Sequence, residues 1–305
     1  MKFVRYERND SPGTIRLGVL RDDEIRGARS ELTMDALLQN DPNFLLESGQ
    51  QIWDSPSAEH VHVSDVQLKI PVQPPQIRDC LSFLEHARNA RRARGASADL
   101  EPEWTEMPPF YFSSVVDLLD ATAPIARPAG SVAFDYEVEM AAVICGGGRN
   151  IPAAKADSVI AGYVLFCDWS ARDFQAKERV MRIGQGKSKD MGTTLGPVLI
   201  TPDELAPLAA ADGYQLEATV RINGEQVSRG TFEGMNWTYA ELIEHVSRSS
   251  RLVPGDLVAA GTIPFGCLME FSGFDSFRGW LVPGDVVEID AGVLGRVNSL
   301  VTAEV

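Results

Sequence analysis

The chain has 305 residues, 44% hydrophobic and 23% charged, with a formal net charge of −15. That charge argues against a nucleic-acid or anionic-membrane binder, since phosphate contacts need a basic surface, and no apolar run approaches the roughly 18 residues of a membrane span. Four cysteines without C-x-x-C spacing, and a charged start with no signal-peptide apolar core, predict reduced thiols in a cytoplasmic protein of about two domains.

Residues 1–70 carry short alternating segments such as Thr14 to Leu20, a helical stretch around Met34 to Leu46 and a strand-like Val61 to Ile70. They predict a small N-terminal α+β domain. His60 and His62 stand at i,i+2, but two imidazoles without a third ligand make a poor metal site, and a solvated strand accounts for them. Pro71, Pro74 and Pro75 mark a linker, so a second domain is expected over 71–305. It opens with DCLSFLEHARN at 79–89 and a basic run, Arg88, Arg91, Arg92 and Arg94. On a helix these arginines spread around more than half the circumference, as on a solvated face. The functional alternative is a basic lid over an anionic substrate, continued by the polar, proline-containing stretch 95–109.

Asp135, Glu137 and Glu139 alternate with Tyr136, Val138 and Met140. Read as a strand, this sends three carboxylates to one face and the larger side chains to the other. Such a face is either a wet edge, or a desolvated cluster whose acids raise each other's pKa or hold a cation. Asp168, closing the next expected strand (Tyr163 to Trp169), is placed to complete the set. An oxygen-only site suits Mg²⁺ or Ca²⁺ rather than zinc. A helix is expected from Ala153 to Ala161, between Pro152 and Gly162.

The passage GQGKS at 184–188 is not a phosphate-binding loop, because Met181 stands where that pattern requires glycine. No nucleophile elbow and no H-E-x-x-H occurs. The last third is mostly strands, with Asn223–Gly224 as a hairpin signal and capping boxes at Thr238/Glu241 and Thr201/Glu204. LVPGD recurs at 252 and 281 as one turn chemistry used twice, and the loop 261–273 holds a lone acid, Glu270, among apolar neighbours, where desolvation is expected.

In combination DYEVE, GYVLFCDWSARDFQ, GKS followed by TTLGP, and GDLVAAGTI followed by MEFS resemble the fumarylacetoacetate hydrolase family over roughly residues 76–303. The resemblance implies an α+β, mostly β fold: a mixed β-roll catalytic domain, commonly homodimeric, with Mg²⁺ (or Mn²⁺ or Ca²⁺) held by carboxylates. It implies Asp79, Glu137, Glu139 and Asp168 as metal ligands, with Asp135 outside the set. It implies His86 as the water-activating base, Glu270 as its orienting partner, and Arg172, Gln175 and Lys187 at the oxyanion and carboxylate end. Smaller relatives carry a glutamate three residues after the histidine. Here that residue is Asn89, which favours carbon–carbon hydrolysis over decarboxylation. Arg179 and Leu81 stand where fumarylacetoacetate hydrolase itself has tyrosines, which points away from fumarylacetoacetate as substrate.

The expected activity is therefore metal-dependent hydrolysis of a carbon–carbon bond in an anionic 1,3-dicarbonyl or 2,4-dioxo acid. An isomerase or tautomerase, or a 2-oxo acid decarboxylase, would use the same scaffold. A non-catalytic metal-dependent binder would have little use for both His86 and Glu270.

Overall fold

A computed structural model describes residues 1–304. Two mixed sheets organise the chain. The larger runs, in hydrogen-bonded order, Glu59–His62, Glu24–Gly27, Ser11–Arg21, Lys2–Arg8, Val198–Ile200, Ile160–Asp168, Val138–Ile144, Leu257–Ala259, Ile77–Cys80 and Phe110–Ser113. Along this path pairing is antiparallel except between Leu257–Ala259 and Ile77–Cys80, where Ala259 stands beside Asp79. The smaller sheet contains Gly213–Ile222, Glu225–Glu233, Val286–Asp290 and Arg296–Ala303, with Ile125–Arg127 parallel at its edge.

Val138–Ile144 and Ile160–Asp168 are buried along their whole length. Their alternation feeds two cores. Val138, Met140, Ala142 and Ile144 pack with Leu165 and Cys167 on one side, while Ala141 and Val143 pack with Val164 and Phe166 on the other. A strand covered on both faces needs apolar residues in both registers, and each large side chain so buried contributes about 1.5–3 kcal/mol. The acids at the entrance of this strand are therefore desolvated, and the wet-edge reading does not hold. All four cysteines are buried and free, and no described helix is long and apolar enough to cross a membrane.

Local signals explain where the elements differ from expectation. Met34 to Leu46 is two helices, Met34–Leu38 and Pro42–Asp54. Asp41 caps the second by accepting from the Phe44 amide at 3.0 Å, and Pro42 occupies its first turn. Val61 to Ile70 is two strands, Glu59–His62 and Val66–Lys69, parted by a short turn. His60 and His62 are exposed, His60 beside Glu24 and His62 bonded to Ser64, a solvated strand rather than a metal site. Ala153–Val159 is a 3₁₀ stretch, and Gly162 lies within the following strand instead of ending a helix. Thr238 and Glu241 form their capping box, whereas the Thr201 hydroxyl bonds to Met1 and Asp203 and caps nothing. Asn223 and Gly224 make the expected hairpin turn, with φ of 55° and 82°. In both LVPGD copies the aspartate accepts from the valine amide three residues earlier at 3.0 Å.

The expected strand from Asp135 to Met140 is broken. Phe134–Asp135 pairs with Ser170–Ala171, while Val138–Ile144 lies in the large sheet. The break lets Asp135 turn away from the two glutamates.

Candidate metal and catalytic site

Three strand ends converge beside a cavity of about 320 Å³ that Asp79 and Glu139 line. Asp79 comes from Ile77–Cys80, Glu139 from Val138–Ile144 and Asp168 from the end of Ile160–Asp168, and one carboxylate oxygen of each lies within 4.8 Å of the others. Asp79 Oδ1, Glu139 Oε2 and Asp168 Oδ1 are buried with no hydrogen-bond partner. Unpaired carboxylate oxygens in a dry site are costly unless a cation or protons reach them. Three clustered carboxylates, each with a buried oxygen that has no hydrogen-bond partner, fit a hard divalent ion. Glu137 stands beside the trio, with its oxygens on Arg172 Nη1 at 2.8 Å and on Lys189 Nζ.

The electrostatics divide these acids. Burial, then the charge of Asp168, pushes Asp79 up to about 8. Burial, then Asp79 and Glu137, raises Glu139 well above the usual range, and burial raises Asp168 despite Lys189. For Glu137 burial works upward, but Arg172 and then Lys189 outweigh it and hold the group below its ordinary value. Tyr111 sits between two of the acids, its hydroxyl 2.6 Å from Asp79 Oδ2 and also against Asp168 Oδ2.

His86 lies on the helix Leu84–Ala93 and Glu270 on the turn Leu268–Phe271, 184 residues later; Nδ1 and Oε1 are 2.8 Å apart and both side chains are buried. A carboxylate there assigns the proton to Nδ1 and leaves Nε2 as the basic nitrogen. Asn89 Nδ2 and the Phe265 amide donate to Oε2 at 2.8 and 3.0 Å. Asn89 thus supports Glu270 instead of replacing it as base partner. Gly261 lets the chain pass close to Cys80: its φ is +88°, and a Cβ there would come 3.0 Å from Leu81 Cα. That approach brings Thr262 to donate to Glu139 Oε1 at 3.1 Å.

Asp135 is buried and accepts from Arg172 Nε at 2.8 Å and from the Leu268 and Met269 amides at 2.8 and 3.0 Å. It therefore anchors both Arg172 and the turn carrying Glu270. Arg172 and Gln175 line the cavity as expected, with Arg172 Nη1 donating to Gln175 Oε1 at 3.3 Å. Lys187 does not reach the site. It is exposed and pairs with Asp190 at 3.1 Å. Lys189 enters instead, spending its three hydrogens on Glu137, Asp168 (2.5 Å) and Ser170 (2.6 Å). Burial alone would lower this ammonium's pKa, but Asp168 and Glu137 outweigh it and raise it. The two lysines share a 3₁₀ turn of about three residues per revolution, so positions i and i+2 point to different sides.

The arginine run lies on the His86 helix and its C-terminal end, not on a separate lid. Arg91 binds Glu101 at 2.9 and 3.0 Å, and Arg92 binds Asn89 at 2.7 Å. Through Arg91 the stretch after the helix is tied beside the cavity, where Glu101 and Trp104 join the lining.

The profile of the family described as Fumarylacetoacetate (FAA) hydrolase C-terminal matches residues 76–302. The chain is 30% identical over 307 residues to a 2,4-didehydro-3-deoxy-L-rhamnonate hydrolase of Sphingomonas sp. (strain SKA58), covering 99% of this chain and 96% of that protein. It is 31% identical over 266 residues to the fumarylacetoacetase of Bos taurus, covering 68% of this chain but only 63% of the bovine protein's length. A solved fumarylacetoacetate hydrolase from psychrophilic Exiguobacterium antarcticum matches over 100% of both chains, with a TM-score of 0.76 and 25% identity.

Proposed function

This chain belongs to the fumarylacetoacetate hydrolase family, and from that premise we propose that it is a divalent-metal-dependent hydrolase cleaving a carbon–carbon bond in a 2,4-dioxo acid. The observation that carries this reading is that His86, paired with the buried Glu270, opens on the same cavity as Asp79 and Glu139, two carboxylates with unpartnered oxygens. The printed name of the relative matched end to end also describes a 2,4-dioxo-3-deoxy acid.

Asp79, Glu139 and Asp168, with Glu137 beside them, would hold the ion, and oxygen-only donors favour Mg²⁺, with Mn²⁺ or Ca²⁺ as substitutes. When bound, such an ion supplies Lewis-acid polarisation of the dicarbonyl oxygens. His86 Nε2 accepts a proton from water, and Glu270 stabilises the imidazolium that forms. The water oxygen adds to C4 and ends in the carboxylate of the released acid. The C3–C4 bond breaks, its electron pair passes to C3 of a pyruvate enolate, and that carbon is then protonated. Arg172, held by Asp135, and Lys189 keep positive charge beside the developing oxyanion. A cytoplasmic homodimer is the setting that the family implies.

The test is product analysis after incubating the protein with 2,4-dioxoheptanoate and Mg²⁺. Pyruvate and butanoate in equal amounts are expected, with loss of activity on chelation and recovery with Mg²⁺ or Mn²⁺ but poorly with Zn²⁺. Carbon dioxide would indicate a decarboxylase, and solvent-hydrogen exchange at C3 without fragmentation an isomerase. Either result would overturn the hydrolase reading.

A further inference from the structure

A second group of metal-ligating side chains, apart from the acid cluster, closes on the base pair itself. Cys267 is wholly buried, and its Sγ donates at 3.7 Å to Glu270 Oε1, the oxygen that also faces His86 Nδ1 at 2.8 Å. One ligand atom from each of these three residues lies within 4.8 Å of the other two. The hydrolytic chemistry makes no use of the thiol. Burial holds it well above its ordinary pKa, so in the metal-free protein it is a neutral S–H.

The backbone fixes these donors. Cys267 immediately precedes the 3₁₀ turn Leu268–Phe271 and Glu270 lies within it, and at three residues per turn positions i and i+3 share one side. Asp135 accepts from the Leu268 and Met269 amides between them. Asn89 and the Phe265 amide hold Glu270 Oε2, which leaves Oε1 to face both the thiol and the imidazole. Ala90 and Met269 cluster with Cys267, making the sulfur side apolar, while His86 borders the open cavity.

Thiolate, imidazole and carboxylate together are a donor set that selects Zn²⁺ over Mg²⁺. A tetrahedral zinc spaces such donors about 3.3–3.7 Å apart. The sulfur–oxygen separation already has this length, and the nitrogen–oxygen one needs to open by about half an ångström. Charge agrees as well. One thiolate and one carboxylate cancel the two charges of the ion, so the loaded site is neutral, the form that a buried site tolerates.

We propose that His86, Cys267 and Glu270 form an inhibitory zinc site, distinct from the acid cluster, with its fourth position open to cavity water. Binding releases the thiol proton to solvent and puts zinc on His86 Nδ1, so that the imidazole proton moves to Nε2. A nitrogen that carries a proton accepts none, and the base is switched off. The inhibition rests on the reading of His86 as the general base; the binding site does not.

The test is binding with Mg²⁺ in excess, to keep the acid cluster occupied, and with Co²⁺ as a coloured substitute for Zn²⁺. Native protein should develop a sulfur-to-cobalt charge-transfer band, which oxygen ligands cannot produce and which Zn²⁺ should bleach. Cys267→Ala and Cys267→Ser should each lack the band, with Mg²⁺ binding retained as the check on folding. Their Zn²⁺ affinity should fall by about 100-fold or more, since even a group that only supports a ligand is worth roughly 10–100-fold. Absence of the band in native protein would overturn the proposal whatever the variants do, and so would a band that persists in a folded Cys267 variant. In turnover assays Zn²⁺ should inhibit the native protein however much Mg²⁺ is present. Relief by added Mg²⁺ would place the zinc in the acid cluster and overturn the proposal. A cobalt band in a protein with no turnover to inhibit would sink the hydrolase reading and leave the zinc site standing.

Discussion

Lys187 and Lys189 differ by two positions and by everything their side chains touch. One lies in solvent beside Asp190; the other ends in a buried cage of Glu137, Asp168 and Ser170. Lys189→Met should lower kcat by roughly 10²–10³, the usual cost of losing an oxyanion-stabilising group, whereas Lys187→Met should stay within about two-fold, as for surface changes. Steady-state kinetics on the two variants checks this, and the reverse order would return the role to Lys187. The sequence makes GKS visible as a motif, and the resemblance points to its lysine. Which lysine turns inward depends on the 3₁₀ geometry of 187–189, and no local pattern encodes that. Tyr111 was equally hidden, since its partners Asp79 and Asp168 lie 32 and 57 residues away. His86 and Glu270 were legible through motifs at fixed places in the chain. Their 2.8 Å approach depends on tertiary packing alone.

At the scale of the strand, Val138–Ile144, Ile77–Cys80 and Ile160–Asp168 bury Glu139, Asp79 and Asp168 side by side, and this links stability to pH. Asp79 is pushed up to about 8, and Glu139 and Asp168 are raised as well. The unfolded chain releases these protons near pH 4, where ordinary carboxyls titrate. The folded, metal-free protein keeps them. The contribution of Asp79 to stability is therefore fully present below about pH 4 and is lost as pH rises toward about 8, and those of Glu139 and Asp168 fall in the same direction. Glu137 acts in the opposite sense, but its depressed pKa confines the loss to more acidic solution. A metal competes with these same protons, so Mg²⁺ should raise the Tm more at pH 8 than at pH 5, and Asp79→Asn should flatten the metal-free slope. Calorimetric scans with and without Mg²⁺ decide it, and an Mg²⁺ shift of equal size at both values would count against the cluster as the metal site. The alternation of 135, 137 and 139 foretold the two glutamates, but not that Asp135 leaves the strand. That departure answers donors at 172, 268 and 269, distant in sequence and invisible to any local pattern. The Asp41–Pro42 helix start, by contrast, was written in the chain and is an ordinary N-cap signal.

Across the whole molecule the large sheet runs through the boundary expected near residue 70. Lys2–Arg8 pairs with Val198–Ile200, and the Thr201 amide bonds the Met1 carbonyl at 2.9 Å. Removing residues 1–70 would bare the edge of Val198–Ile200 and the apolar face that Phe3, Leu17 and Val19 cover. Expressed alone, residues 71–305 should therefore be aggregation-prone; a soluble, cooperatively melting fragment would show that the first 70 residues are dispensable to the rest. The same long-range wiring fixes when the site can form. Asp79 reaches the acid cluster only after a strand near residue 77 has found one near residue 257, and the base pair must close 184 residues of chain. Contacts so distant in sequence are slow to assemble, because loop closure precedes any gain from them. The expectation is a ligand set completed only late on the folding route, past the rate-limiting barrier. Added Mg²⁺ should leave the refolding limb of a denaturant chevron in place and depress the unfolding limb, making the ion a brake on unfolding with no part in guiding the chain home.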